Sequence, residues 1–519
     1  MNRSTGSIEK LPPEILAMIF QAYIDLDDSP WRLVCVCVKW ARVALKLTAL
    51  WRYIYLADQI VYPHPQSKVS SVLPSFSVPG FGRVLSIRGR RQICMTMREL
   101  EEAFLRAGMT LVDLELSLEG EPTSAPGPPI QDILCHIFSQ SKLASRISRL
   151  ELSQTSEEAP TFQSVSLPRL REFKWTSYGT YLEWAPFVGQ LLSQCRDLHS
   201  LHLLDEAVLR LQHLDMWSNV QLLVVEENDD WPTTWGGLNT VLTRCSSLEG
   251  LRVKSSDAWP DEATPPITCP RLCTLELSHE SKHLGRIRAP ILISLEIDVE
   301  ENVYRMPAPY SPSWETDLQW NGEADDTGLE FPLLERLAVR SEYPGWIFRL
   351  KLPNLKSLDF YLQSTAYHLT ARVSNKSTEF GDIFRADWFP TVHTVKFSAV
   401  GYCPLFVAAL RSVPNAEQIT LIPERRYDPA LSRMRAVAKE PRFPDFGSSF
   451  PRRLFARDPD FLCPKASHIQ IGKKWYELEA DSDLGSSLQE LVEVRKKHGV
   501  PLQSLRVYLQ GHESFLEYV

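Results

Sequence analysis

Cysteine is scarce, ten residues in 519 with no framework spacing. A disulfide scaffold is therefore excluded, and the fold must rest on a packed core. Glycine and proline together make about 12% of the chain, too little for low-complexity sequence. A basic excess is also missing: 56 Lys and Arg face 64 Asp and Glu, a net charge of −8. That balance argues against a surface that wraps nucleic acid, and no nucleic-acid partner is expected. No stretch approaches 18 uncharged apolar residues, and the opening MNRSTGSIEK lacks the apolar core of a signal peptide. The expectation is a soluble, reduced protein of the cytoplasm, the nucleus or both, with no membrane partner. What the chain does have is apolar mass, 44% hydrophobic residues with 14 Trp and 22 Phe. Length alone suggests roughly three domains, a rule that repeats break.

Catalytic patterns are missing too. There is no G-x-x-x-x-G-K phosphate loop, and Gly236-Gly237 lacks the following lysine. Neither G-x-S-x-G nor H-E-x-x-H occurs. The metal-like spacing Cys269, Cys273, His279, His283 has a central gap short for a zinc finger. Cys273 also falls in a strand phrase, where neighbouring side chains diverge. No metal, cofactor or catalytic residue is assigned, and an enzyme is not expected. Cys35 and Cys37, two apart on a helix, point to different sides and read as small apolar packers.

The first fifty residues carry the densest pattern. In Leu11 to Ile24, LPPEILAMIFQAYI, Pro12 and Pro13 suit a helix start, where the missing N–H costs nothing. Ile15, Leu16, Ile19, Phe20 and Tyr23 then form one helical face. A second helix is expected from about Trp31 to Leu45, with Leu33, Val34, Cys37, Trp40, Ala41 and Ala44 as its stripe. So small a piece cannot bury both stripes alone, so the surplus packs on the rest of the chain or on another protein.

The residues themselves, Leu11-Pro12-Pro13-Glu14-Ile15-Leu16, Ile19-Phe20, Arg32 to Trp40 (RLVCVCVKW) and Leu50-Trp51, resemble an F-box in identity and order. The resemblance covers about residues 8–55. It implies a three-helix module docking on the adaptor Skp1 within a cullin-RING ubiquitin ligase. By resemblance, Leu11, Pro12, Ile15, Leu16, Ile19 and Phe20 lie at that contact. Val36, Cys37, Trp40, Leu50 and Trp51 serve either the contact or the module's own small core.

Beyond residue 110 one phrase recurs: a small or Pro-containing lead, then apolar-x-x-apolar-x-apolar. It begins at Leu111, Ile147, Leu170, Leu198, Val220, Leu248, Leu272, Leu292, Leu334, Leu355 and Val392, more weakly at Ala416, and again at Leu502. Successive copies lie about 28 residues apart on average, close to the leucine-rich-repeat range of about 20–29. The last two apolar positions are two apart and share one side of a short strand. Helical stretches lie between, as in Tyr181 to Cys195 with Trp184, Phe187, Val188, Leu191 and Leu192 inward. The expected fold class is α/β: a three-helix F-box, then an irregular leucine-rich-repeat-like solenoid with a parallel concave sheet. Residues 56–110 are a linker or first repeat, with a weak strand hint at Val84, Ser86 and Ile87. The solenoid spans 111–519. Insertions are expected near 300–330, carrying Glu323, Asp325 and Asp326, and near 425–460, with nine basic residues against five acidic. The whole resembles fungal proteins that join an F-box to degenerate leucine-rich repeats.

If both apolar strand positions face inward, the residue between them faces outward: Glu115, Glu151, Lys174, His202, Val224, Arg252, Glu276, Glu296, Ala338, Asp359, Lys396 and Thr420. This mixed-sign row suits a specific protein epitope better than a polyanion. Lys174, His202, Arg252, Glu276, Glu296, Asp359 and Lys396 are the candidate contacts. The resemblance thus implies a non-catalytic, substrate-recognising subunit, with a Skp1-type adaptor, through it a cullin, and a protein target as partners. An F-box scaffold outside cullin complexes is the first alternative, and an open α/β enzyme the second.

Overall fold

The computed structural model describes residues 11–24, 33–34, 36–57, 92–94, 97–118, 130–154, 166–177, 184–226, 235–254, 266–278, 284, 287–298, 330–341, 350–362, 389–400, 409–424, 463–474, 484–510 and 515–517. The hint at Val84 to Ile87, the acidic insertion, the basic stretch 425–460 and the histidines His279 and His283 lie outside these residues. The chain forms two compact units, Met1–Leu248 with Trp259–Thr264, and Glu249–Ala258 with Pro265–Val519.

In the first unit, α1 (Pro13–Ile24), α2 (Val38–Lys46) and a 3₁₀ turn (Thr48–Trp51) lead directly into β1 (Tyr53–Ala57). There follow β2 (Gln92–Cys94), α3 (Met97–Arg106), β3 (Val112–Leu118), α4 (Ile130–Ser139), α5 (Ser141–Ala144), β4 (Ile147–Gln154), β5 (Glu172–Ser177), α6 (Ala185–Ser193), β6 (Ser200–Leu204), α7 (Asp205–Leu211), β7 (Leu222–Glu226) and α8 (Trp235–Arg244). β1 pairs in parallel with both β2 and β3, and parallel pairing continues in chain order from β3 to β7. The sheet therefore starts at Tyr53, earlier than the expected boundary, and Trp51, Ile54 and Leu56 are a copy of the repeat phrase. Between strands, α6 buries Phe187, Val188, Leu191 and Leu192, and Trp184 just before it is buried too, as the pattern predicts.

The second unit holds β8 (Gly250–Lys254), β9 (Ile267–Thr268), β10 (Thr274–Ser278), β11 (Ile287–Arg288), β12 (Ser294–Asp298), β13 (Arg336–Ser341), β14 (Ser357–Leu362), β15 (Thr394–Val400), β16 (Gln418–Glu424), β17 (His468–Lys474), α9 (Leu484–Lys497), β18 (Ser504–Gln510) and β19 (Phe515–Glu517). β8 pairs with β10, β10 with β12, and the ladder then runs in parallel and in chain order to β18. β19 closes the last edge antiparallel, and β9 with β11 forms a separate two-stranded ladder. One strand per repeat, each beside its predecessor, is solenoid construction.

The lead of the phrase explains the regularity. In Cys269–Leu272, Ala289–Leu292, Phe331–Leu334, Leu352–Leu355, Phe389–Val392, Val413–Ala416 and Cys463–Ala466 the fourth N–H donates to the first carbonyl. The second residue of each is proline, whose fixed φ suits that place in a turn. The first residue is buried in every case, so the phrase has a fourth core position beyond the three read from sequence. Cys463-Pro464 also marks a copy that sequence reading missed, Ala466/Ile469/Ile471, all buried.

Each turn then locks to its neighbour. The Cys273 carbonyl accepts from the N–H groups of Ile293 (2.9 Å) and Ser294 (3.0 Å), and the Ile293 carbonyl from Glu335 (2.9 Å) and Arg336 (3.0 Å). The relay passes on through Glu335, Lys356, His393, Glu417 and Ser467 to Gln503 and Ser504. With register set this way, Leu275, Leu295, Leu337, Leu358, Val395, Ile419, Ile469 and Leu505 stand in one file. All are buried, each worth about 1.5–3 kcal/mol.

The thiols are part of this scheme. Cys195, Cys245, Cys269 and Cys463 all take the buried lead position. Burial pushes the Cys195 and Cys463 thiols up to about 12 and Cys269 to about 11. Cys463, at φ +50, donates to the carbonyls of Leu410 (3.5 Å) and Val413 (3.4 Å). Its own turn is gripped by Arg495 of α9, a buried guanidinium. Arg495 donates through Nη2 to the carbonyls of Ala466 (3.0 Å), Pro464 (3.3 Å) and Cys463 (3.5 Å), and through Nε to Val500 (3.2 Å). Burial lowers the Arg495 pKa, and the neighbouring Cys463 opposes that shift.

Arg495→Met strands these carbonyls and is expected to cost about 2–4 kcal/mol, read as a lower urea midpoint and earlier hydrogen exchange in β17. The three buried thiols titrate higher in the fold than the usual value near 9. Their contribution to stability is complete below pH 9 and is lost as pH rises toward 11–12. Iodoacetamide at pH 8 should modify the exposed Cys135 and spare Cys195, Cys269 and Cys463, as intact-protein and peptide mass spectra will show.

Candidate interaction surfaces

The N-terminal module closes a core of its own. Leu16 and Phe20 on one face of α1 are fully buried, as are Leu50 and Trp51. The Phe20 and Trp40 rings lie 4.9 Å apart, and Trp51 Nε1 donates to the Ala44 carbonyl at 2.9 Å. Lys39 Nζ reaches the Leu11 carbonyl at 2.7 Å and ties the chain before α1 to α2.

The structure therefore divides the eleven adaptor candidates. Leu16, Phe20, Leu50 and Trp51 are interior, where Leu16 and Phe20 help hold the module together. Leu11, Cys37 and Trp40 are half-buried, while Pro12, Ile15, Ile19 and Val36 are exposed. Met18 and Val38, not singled out from sequence, are more exposed than Ile15 and Ile19. Met18 follows Ile15 by three residues, which puts it on the same side of α1; that spacing could have found it.

The second helix also differs from expectation. Leu33 and Val34 are helical, but Val36 and Cys37 interrupt, Cys37 with extended φ −163 and ψ 168, and α2 begins only at Val38. Val34, Val36 and Val38 each lose χ1 freedom in a helix, which makes this the weak point of the run. The break leaves Val36 and Val38 both exposed.

From this module the chain passes without a spacer into the sheet. Arg52 pairs with Asp113 of β3 at 3.0 Å and covers the Tyr53 ring at 4.5 Å. Gly108, at φ +58, sits where an added Cβ would lie 2.7 Å from Thr48 Cγ2. Only glycine combines that backbone conformation with so close an approach.

The outward row behaves differently from a set of free charges. In the first unit Lys174 binds Glu151 at 2.8 Å, Arg149 lies 3.6 Å from Glu151 and 3.8 Å from Glu172, and His202 is 2.9 Å from Glu226. In the second, Arg252 pairs with Glu276, Lys396 with Asp359 at 2.7 Å, and Arg340 with Asp298 at 3.4 Å. Parallel register puts these partners on adjacent strands, within reach across about 4.8 Å. Glu296 stands opposite Ala338 and has no charged partner among the described residues. Five of the seven target candidates, Lys174, Arg252, Glu276, Asp359 and Lys396, are thus ion-paired with a neighbour, each pair worth about 0–1 kcal/mol.

Of the metal-like spacing, Cys269 fills a buried turn position and Cys273 sits half-buried beside it, its thiol near the Arg271 carbonyl. Among the described residues no three His, Cys, Asp or Glu side chains come together as a metal set, and no helix is long and apolar enough to cross a membrane.

Comparison of the whole chain with curated proteins finds no match. The F-box-like family model matches residues 8–57, about a tenth of the sequence and the same stretch that forms α1, α2, the 3₁₀ turn and β1. A closed module with an apolar outer face, at the place where that family's pattern falls, is an F-box-like domain, of the kind that serves Skp1-type ligase complexes as a non-catalytic adaptor component.

Proposed function

We propose that this chain recruits a protein target to an Skp1–cullin–F-box ubiquitin ligase of the cytoplasm or nucleus. The F-box-like domain binds a Skp1-type adaptor, and the outward strand row of the repeats holds the target. The observation behind this is the split of α1: Leu16 and Phe20 face a complete interior, while Ile15, Met18 and Ile19, with Val36 and Val38, leave aliphatic surface in water. A module with a full core has no internal use for that second face. Ubiquitin transfer then needs nothing catalytic from this chain, only a target held in place, so that the effect is proximity and orientation.

The test is co-expression of the full chain with Skp1 and cullin, followed by size-exclusion chromatography. Ile15→Asp is the informative variant, because Ile15 is exposed and its replacement leaves the core intact. Leu16→Asp is not, because it puts a carboxylate inside the module. An unpaired carboxylate in the adaptor contact costs several kcal/mol, so Ile15→Asp should weaken Skp1 binding at least about a hundredfold with an unchanged thermal melt. Full-strength binding by this variant would remove the docking assignment. Adaptor without cullin would instead favour a scaffold outside ligase complexes.

For the target side, Glu296→Lys should lower the recovery of ubiquitinated target in proximity labelling while Skp1 affinity stays the same. Unchanged recovery would move the target contact off this row.

A further inference from the structure

We infer that the adaptor contact does not end with the F-box-like domain but continues onto Leu105 and Met109, at the end of α3 in the first repeat. This rests on the adaptor assignment above and extends its footprint. Leu105 is 77% exposed and Met109 90%, the highest values of any large apolar side chain among the described residues. Leu105 lies in the last turn of α3, and Met109 follows just past the helix end, after the left-handed Gly108. The opposite side of α3 is spent inward: Leu100, Ala103, Phe104 and Ala107 are all buried. The described charges of α3 lie beside polar partners, Glu102 with Arg106 at 3.3 Å and Glu101 with His136 at 2.8 Å. No exposed apolar pair of this kind is needed to build the repeat.

Their position indicates what covers them. Gly108, between Leu105 and Met109 in sequence, lies directly against Thr48 of the turn that closes the F-box-like domain. Its positive φ and missing side chain let the end of α3 come that close. Among the described residues of the first unit, the other large exposed aliphatic side chains are Ile15, Met18, Ile19, Val36 and Val38 of the domain itself, and Leu222. A partner seated on the domain therefore meets Leu105 and Met109 next to the closing turn, and the occupant is the Skp1-type adaptor itself.

The experiment measures binding of purified Skp1 to the full chain, to Leu105→Ser/Met109→Ser and to Ile15→Asp. The double variant should bind about tenfold more weakly, mainly through faster dissociation, with an unchanged melt because both side chains are in water. A photo-crosslinking residue at 109 should join covalently to Skp1 in the complex. Loss of binding in Ile15→Asp with wild-type affinity and no crosslink in the 105/109 variants overturns the extension and leaves the adaptor assignment standing. No Skp1 binding by the wild type overturns both. A wild-type dimer that the double substitution dissolves, with Skp1 affinity intact, also overturns the extension by making this a face between copies.

Discussion

The repeats depend on one backbone constraint. From Cys273 to Ser467 a carbonyl at the rim of each strand accepts two consecutive N–H groups from the next repeat, and a proline turn just before it holds that segment in shape. A parallel ladder has no hairpin to set its register, and a one-residue slip would turn every apolar side chain to the water face. The relay from Glu249 through Cys273 and Ile293 to Ser467 removes that freedom. Spacings between phrases can therefore drift widely without disturbing the core, because register is set at the turn and the intervening chain is free to vary in length.

The same constraint explains residue choices that look unrelated in sequence. Leu167, Trp217, Cys245, Phe331, Leu352, Phe389 and Cys463 differ greatly in size, yet each occupies the first place of the turn and closes the space under the following strand. Volume there is set by the local chain, so each repeat fills it differently. A cysteine in this position is a small apolar residue: the Cys463 thiol finds a carbonyl, and burial keeps it poorly ionised.

Much of this was legible in advance. The apolar-x-x-apolar-x-apolar phrase predicted strand positions such as Leu275/Leu277 and Val395/Phe397, because period-two alternation on a half-buried strand leaves a direct trace. The F-box pattern was legible through residue identities. What remained hidden was decided by neighbours distant in sequence. Leu16 and Ile15 are equally apolar and adjacent, and only packing of α1 against α2 and the 3₁₀ turn assigns one inward and the other outward. Trp51 serves both the module's core and the first repeat, so no compositional break marks the boundary there. Ala466/Ile469/Ile471 escaped notice because its first position is a bare alanine, although the Cys-Pro lead was present.

The pairing of the outward row narrows what a target can be. An incoming charge must compete with a partner already held on the next strand, as Lys174 is by Glu151 or Lys396 by Asp359. Attraction of either sign at long range is therefore weak, and a polyanion or polycation gains little from this surface. Discrimination then falls to shape and to positions outside these pairs, among them the aliphatic Val224, and Glu296 with the small Ala338 beside it. Such a surface suits a folded protein that reads contour at short range. The proposed adaptor face is the reverse case, uncharged and aliphatic, made for a partner that contributes apolar area. The two proposed contacts thus differ in chemistry, and a partner suited to one has little to gain from the other.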